Sequence, residues 1–225
     1  YAEQLLDDLD KLPGWPDRVK TMQRNWIGRS EGLEFGFEVP SLHKKLNVYT
    51  TRPDTIYGVT FVVIPPEHPM VEELLKDNPR KAELEAFCNK VKNTSDIERT
   101  SSESEKLGMY TGVDCIHPLT GEKVQIWITN YVLVDYGTGA VMGVPTGDHR
   151  DWMFATKYGI KKILTLQPKD KELKLEEMTD AYEDKDGVLV NAGPFTGMEM
   201  HKAMKAIIDY MEEKGLGKRR ISGTG

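Results

Sequence analysis

Two short stretches, far apart in the chain, concentrate the side chains able to bind and polarise a substrate. The first is Thr50-Thr51-Arg52-Pro53-Asp54-Thr55. Pro53 withholds a backbone donor and drives Arg52 away from helical angles, so a strand that reaches Thr50 must end in a turn there. Three hydroxyls, a guanidinium and a carboxylate then crowd one strand terminus. Such a cluster can hold a polar ligand, or it can be an ordinary turn in which Asp54 and Thr55 bond their own backbone. The second stretch runs from Tyr136 to Asp151, a glycine-dotted strand that leads through a loop into a helix. Asp148 and Asp151 stand three apart at that helix start. They can simply cap it, stabilised by its dipole. They can also form a carboxylate pair for a cationic group, such as the ammonium of an amino acid.

Other chemistries find little support. The glycines of the second stretch fit neither a dinucleotide-binding frame nor a P-loop. No serine sits in a nucleophile elbow. His149, between an acid and a base, offers a proton shuttle or a solvated surface residue. His43, His68, His117 and His201 are scattered without metal-ligand spacing. Cys88 and Cys115 stand alone and are expected as reduced, buried thiols of a cytosolic protein. No metal and no cofactor is expected.

The surrounding pattern says what must position these residues. Leucines at helical spacing over residues 1–12 predict an amphipathic helix, stopped by Pro13-Gly14, and a second helix follows from Trp15 to Trp26. Gly28 and Gly32 bracket a hinge. Alternation at period two predicts a strand over 33–39, with further strands at 46–51 and 59–64. Residues 67–107 read as helical stripes ending in an exposed connection over 94–106. Strands return at 123–128, 131–135, 139–144 and 163–166. A helix is predicted from Asp148 to Tyr158, closed by Gly159, and a last one from Met198 to Lys214, stopped by Gly215. The charged run 169–186 reads as a surface excursion, and Lys218-Arg219-Arg220 as a solvated tail. Short strands interleaved with helices, without βαβ repetition, predict an α+β fold with a mixed, barrel-like core.

With 39% hydrophobic residues, 19 aromatic side chains and 29% charged residues in 225, the chain can bury a real core. No apolar run reaches the length of a bilayer span. A net charge of -6 rules out a surface that grips nucleic acid over its whole extent, so any such contact is local.

Taken together, the segments resemble the editing insertion of bacterial-type leucyl-tRNA synthetases. Met22 to Gly32 resembles the lead-in to that insertion, and Val48 to Thr55 its threonine-rich motif. His117-Pro118-Leu119-Thr120-Gly121 and Tyr136 to Asp151 resemble its other signature segments. The Thr-Arg-Pro-Asp-Thr motif is shared with isoleucyl and valyl editing domains. Asn25-Trp26-Ile27-Gly28 and the segment from Leu9 to Pro16 favour leucine. The chain departs from the family pattern at one place: Val144-Pro145-Thr146-Gly147-Asp148 puts glycine where members carry a histidine.

The resemblance implies a hydrolase acting on the ester between a wrong amino acid (norvaline, isoleucine or methionine) and the terminal adenosine of leucine tRNA. A second sieve of this kind exists because one pocket separates near-isosteric apolar side chains by only about 1–3 kcal/mol. By carry-over, Asp151 binds the ammonium with help from Asp148, and both carboxylates are expected ionised at neutral pH. Thr50 and Thr51 hydrogen-bond the adenosine, the ester or the attacking water. Thr55 is the steric gate against leucine, and Arg52 positions the terminal nucleotide. Tyr136 and Met142 line the pocket, with Asp54, Val144 and Arg150 as further substrate contacts. Water attacks without a covalent nucleophile. Neither His-x-Gly-His nor Lys-Met-Ser-Lys-Ser occurs, so leucine activation is not expected of these residues. The implied organisation is a helical lead-in over 1–32, an editing domain over 33–217 and a hinge or tail over 218–225, excised from a cytoplasmic, monomeric parent synthetase. The competing readings are an isoleucyl- or valyl-type editing domain, and a module that docks the tRNA end without hydrolysis.

Overall fold

Leu33, Phe35, Phe37 and Val39 alternate with polar residues, and all four are buried in strand β1 (Ser30–Val39). A tight turn, with His43 left-handed at φ 53°, returns the chain antiparallel as β2 (Lys44–Thr50), in register Leu33 to Thr50 through Val39 to Lys44. The computed structural model describes residues 30–133 and 138–222. The two helices expected before Gly28, together with Tyr136, lie outside the described residues.

Next comes β3 (Phe61–Ile64), whose four residues are all buried. Three helices follow: α1 (Val71–Leu75), α2 (Lys81–Lys92) and α3 (Asp96–Thr100). Then come β4 (Gly108–Ile116), β5 (Lys123–Thr129) and β6 (Val141–Gly143). Helix α4 (His149–Tyr158) is capped by Asp148 and ended by left-handed Gly159. The chain closes with the small β7 (Leu166–Gln167) and β8 (Val188–Leu189) pair, α5 (Met200–Glu213) and β9 (Gly217–Ser222).

The main sheet has the order β2-β1-β4-β5-β3-β6, with β9 beside β1. All its registered pairs are antiparallel except β3 with β5, which run parallel. The sheet curls until β6 comes back beside β2, so the barrel-like core is present and its two edges face each other. Residues Leu33–Lys218 make up one compact unit; of the remainder, residues 30–32 and 219–222 are described, with Glu31 and Arg219 paired at 3.5 Å. Both cysteines are buried and free, as expected. Among the described residues no helix is long and apolar enough to cross a membrane.

One strand was not anticipated and several expectations are corrected, the strand over 163–166 among them, since only Leu166–Gln167 is extended in a ladder. Residues 108–116 form a strand that the sequence pattern concealed. A bulge between Tyr110 and Asp114, with Gly112 at φ 80°, breaks its alternation. Residues 131–133 are not a strand: Tyr131 and Val132 are buried by packing against α4, and the rest of that prediction partly falls outside the described residues. The 94–106 connection contains α3, whose Arg99 is buried. The basic cluster 218–220 belongs to β9 and is not a loose tail.

A second apolar cluster lies between α4 and the sheet. Phe154 stacks on Phe61 at 5.6 Å and meets Trp127 edge-on at 5.3 Å. This contact fixes the helix whose first turn carries the carboxylates. It also depends on Gly143, because a Cβ there would lie 2.6 Å from the ring of fully buried Phe61. Gly143→Ala is therefore expected to cost roughly 1–3 kcal/mol through overpacking, read as a drop of about 5 °C in melting temperature.

Candidate active site

The end of β2 is organised by its own hydroxyls. The Arg52 amide donates to Thr50 Oγ1 at 2.8 Å, and the Thr55 hydroxyl donates to the Arg52 carbonyl at 2.8 Å. Pro53 opens a 3-10 turn, Pro53–Gly58, as its fixed φ favours. Pinning Thr55 Oγ1 to the backbone leaves its methyl Cγ2 turned toward Gly147, 3.9 Å from where a Cβ at that glycine would stand. Asp54 is completely buried and is held in two bonds by Arg52, Nε to Oδ1 at 3.0 Å and NH2 to Oδ2 at 2.9 Å. Asp54, expected as a substrate contact, thus orients the guanidinium and does not line the cavity that Arg52 borders.

On the other side, the Asp148 side chain accepts from the Asp151 amide at 3.1 Å, a normal N-cap. Arg150 NH2 approaches Asp148 at 3.4 Å. Asp151 is a different matter. It shares a helix face with Phe154 and Ala155, at spacings of three and four, and is 5% exposed. Tyr131 donates its hydroxyl to Oδ1 at 3.0 Å, and the Val144 amide donates to Oδ2 at 3.0 Å. Burial, and then the neighbouring charge of Asp148, push the Asp151 carboxyl up to about 7. The expectation of two fully ionised carboxylates is therefore corrected: hydrogen bonds and the helix end do not outweigh desolvation.

The two halves meet. A cavity of about 150 Å³ is lined by Tyr49, Thr50, Arg52 and Thr55 from one side and by Val141, Met142, Val144, Gly147, Asp148 and Asp151 from the other. A space of that size accepts a group about as large as benzene, which suits one amino-acid side chain. Thr51 is exposed and does not line it, nor does Arg150, which pairs with Asp148 at 3.4 Å, and Tyr136 lies outside the described residues. A Cβ at Gly147 would make ordinary contact with Val144 at 3.4 Å, so the missing side chain leaves open volume beside Thr55.

A larger cleft of about 550 Å³, lined by Tyr57, Lys123, Gln125, Lys161 and Asn191 among others, holds none of the proposed catalytic or substrate-contact residues, though His117 and Thr120 of one signature segment border it. His117 is fully engaged there, bonded through Nε2 to the Ile56 carbonyl at 2.9 Å and through Nδ1 to two amides. Size alone favours that cleft. Convergent hydroxyls and a buried carboxylate favour the smaller cavity. His149, a candidate shuttle, pairs instead with Asp180 at 2.9 Å, and that hydrogen bond holds its pKa above the usual value. Sequence reasoning missed Tyr131. The 151/154/155 spacing was the available sign that Asp151 faces inward and needs a buried donor.

The family model of the leucyl-tRNA synthetase editing domain matches residues 24–212. A leucine–tRNA ligase of Thermotoga maritima is 51% identical over 221 residues, covering 98% of this chain and 27% of that protein. One from Symbiobacterium thermophilum is 51% identical over 227 residues, covering 99% and 26%. The crystal structure of the ternary complex of Agrobacterium radiobacter K84 agnB2 LeuRS, tRNA and LeuAMS matches at a TM-score of 0.64 with 33% identity, over 99% of this chain and 24% of that one. The chain thus spans about a quarter of the relatives it matches. With the family model spanning residues 24–212 and the fold match in accord, the chain belongs to the leucyl-tRNA synthetase editing-domain family.

Proposed function

We propose that this domain hydrolyses the ester of norvaline, isoleucine or methionine wrongly joined to leucine tRNA, and spares leucine. The observation that carries the reading is the buried carboxylate of Asp151 at one end of a side-chain-sized cavity whose other wall bears the Thr55 methyl. An entering ammonium ion-pairs with Asp151 and favours its ionised form, since a nearby cation lowers a carboxyl pKa. The apolar side chain then lies toward Met142, Val144 and Thr55. Thr50 and Arg52 stand at the same wall to receive the adenosine and the ester oxygens. Water attacks an ester that is held in place, and the gain comes from positioning and from hydrogen bonds to developing charge.

The deciding experiment compares leucine tRNA charged with norvaline and the same tRNA charged with leucine. Loss of the norvaline ester alone supports the reading. Survival of both esters, with the tRNA end bound, would favour a docking module without hydrolysis. The gate has its own test: Thr55→Ala removes the methyl and the hydroxyl anchor, and leucyl-tRNA should then be hydrolysed at least tenfold faster than by the parent, one methyl-sized contact being worth about 1–3 kcal/mol.

A further inference from the structure

Asp151 depends on a residue that is itself held from a distance. Tyr131 is 2% exposed and packs on Phe154 at 5.5 Å, with its hydroxyl on Asp151. It follows β5 directly after Asn130, whose amide donates to the Leu107 carbonyl at 2.9 Å and whose side chain accepts from the Leu107 amide at 2.8 Å. Arg99 of α3, 3% exposed, adds a second hold: its Nε donates to the Asn130 carbonyl at 3.3 Å and its Nη2 to the Val132 carbonyl at 3.1 Å. The guanidinium therefore grips the chain on both sides of Tyr131. Glu67 anchors it in turn, at 2.8 and 3.2 Å, and Asp96 lies 4.0 Å away. A planar fork with five donors is suited to this task and a lysine is not.

We infer that Arg99 and Tyr131 form a positioning relay that orients the Asp151 carboxylate toward the cavity and sustains its charged form for the substrate ammonium. The inference rests on the proposed hydrolysis for its consequence but on geometry for its existence. With Oδ1 on Tyr131 and Oδ2 on the Val144 amide, the carboxylate has one fixed plane. The charged groups facing it are Asp148 and Arg150 of its own helix, and Arg52 lines the same cavity from the turn after β2. Asp148 opposes the ionised form, Arg150 favours it, and the Tyr131 hydroxyl is the one side-chain donor to the carboxylate among the described residues. Neither Arg99 nor Tyr131 needs to touch substrate.

The test titrates the carboxyl carbon of Asp151 by NMR in the 225-residue chain carrying ¹³C-labelled aspartate, and follows norvalyl-tRNA deacylation against pH in the same proteins. Tyr131→Phe keeps the ring and its packing. It should raise the Asp151 midpoint by about one pH unit, moving the acid limb of kcat/KM upward by the same amount, with activity regained at higher pH. Arg99→Lys should raise the midpoint by a smaller amount, and should add nothing in the Tyr131→Phe background. An unchanged midpoint in folded Tyr131→Phe overturns the inference, and so do independent, additive shifts in the double variant. If no protein deacylates, the hydrolytic reading falls while the titration still decides the relay.

Discussion

Asp151→Asn is expected to lower hydrolysis of norvalyl-tRNA by about 10²–10³-fold, since removing one partner of a buried ion pair costs roughly 3–5 kcal/mol. The fold should survive. An amide in this place accepts from the Val144 amide through its oxygen and donates to the Tyr131 oxygen through its nitrogen, so both present partners remain bonded. Stability should move the opposite way to activity. The native carboxyl titrates near 7, well above its ordinary value of 3.8, so between these values the native state holds a proton that the unfolded state has lost. Parent stability therefore falls as pH rises from about 4 to about 7, by a few kcal/mol at most, and is flat above. The Asn variant lacks this dependence. Melting curves should come closest near pH 4, with the variant increasingly the more stable up to pH 8. A variant less stable at pH 8 would show that the carboxylate is not costly where it lies.

Arg52→Ala should produce the largest loss of stability. It strands the fully buried Asp54, whose two oxygens both rest on that guanidinium. An uncompensated buried charge costs about 3–5 kcal/mol, or roughly 10 °C in a domain of this size. Calorimetry of Arg52→Ala beside the double variant with Asp54→Asn separates the causes. The second change removes the orphan charge and should restore more than half of the lost melting temperature. If it restores nothing, the loss comes from the packing of the Arg52 stem and its contact with Met200 at 3.8 Å.

Local chemistry explains what was legible beforehand. Proline at 53 ended β2, Asp148 and Gly159 bounded α4, and Gly215 followed α5, because each acts through its own backbone. The two halves of the site were also readable as polar clusters at element ends. What sequence concealed depends on distant partners. Residues 108–116 lose their alternation where the chain bulges, and Thr111 there turns inward to donate to the Ile126 carbonyl at 2.8 Å. Residues 131–133 look like a strand since they are apolar, yet Arg99 takes the carbonyls that a ladder would have used. The raised titration of Asp151 came from burial by residues far away in sequence, and no spacing within the motif announces that.

The parallel pairing of β3 with β5 bears on when the two walls of the cavity can meet. The β1–β2 hairpin closes through a short turn, and the hydrogen bonds among Thr50, Arg52, Asp54 and Thr55 are local, whereas Arg52 also reaches Met200 far along the chain. Joining β3 to β5 requires the whole of residues 65–122 to form a closed loop, and β6 can then add to the free edge of β3. Such non-local closure is entropically slow, and topology of this kind governs folding rate. The local turn after β2 is thus expected to gain protection earlier than β6 does, which pulsed hydrogen exchange during refolding would read. The cavity is therefore complete only once the end of β2, strand β6 and the start of α4 have come together.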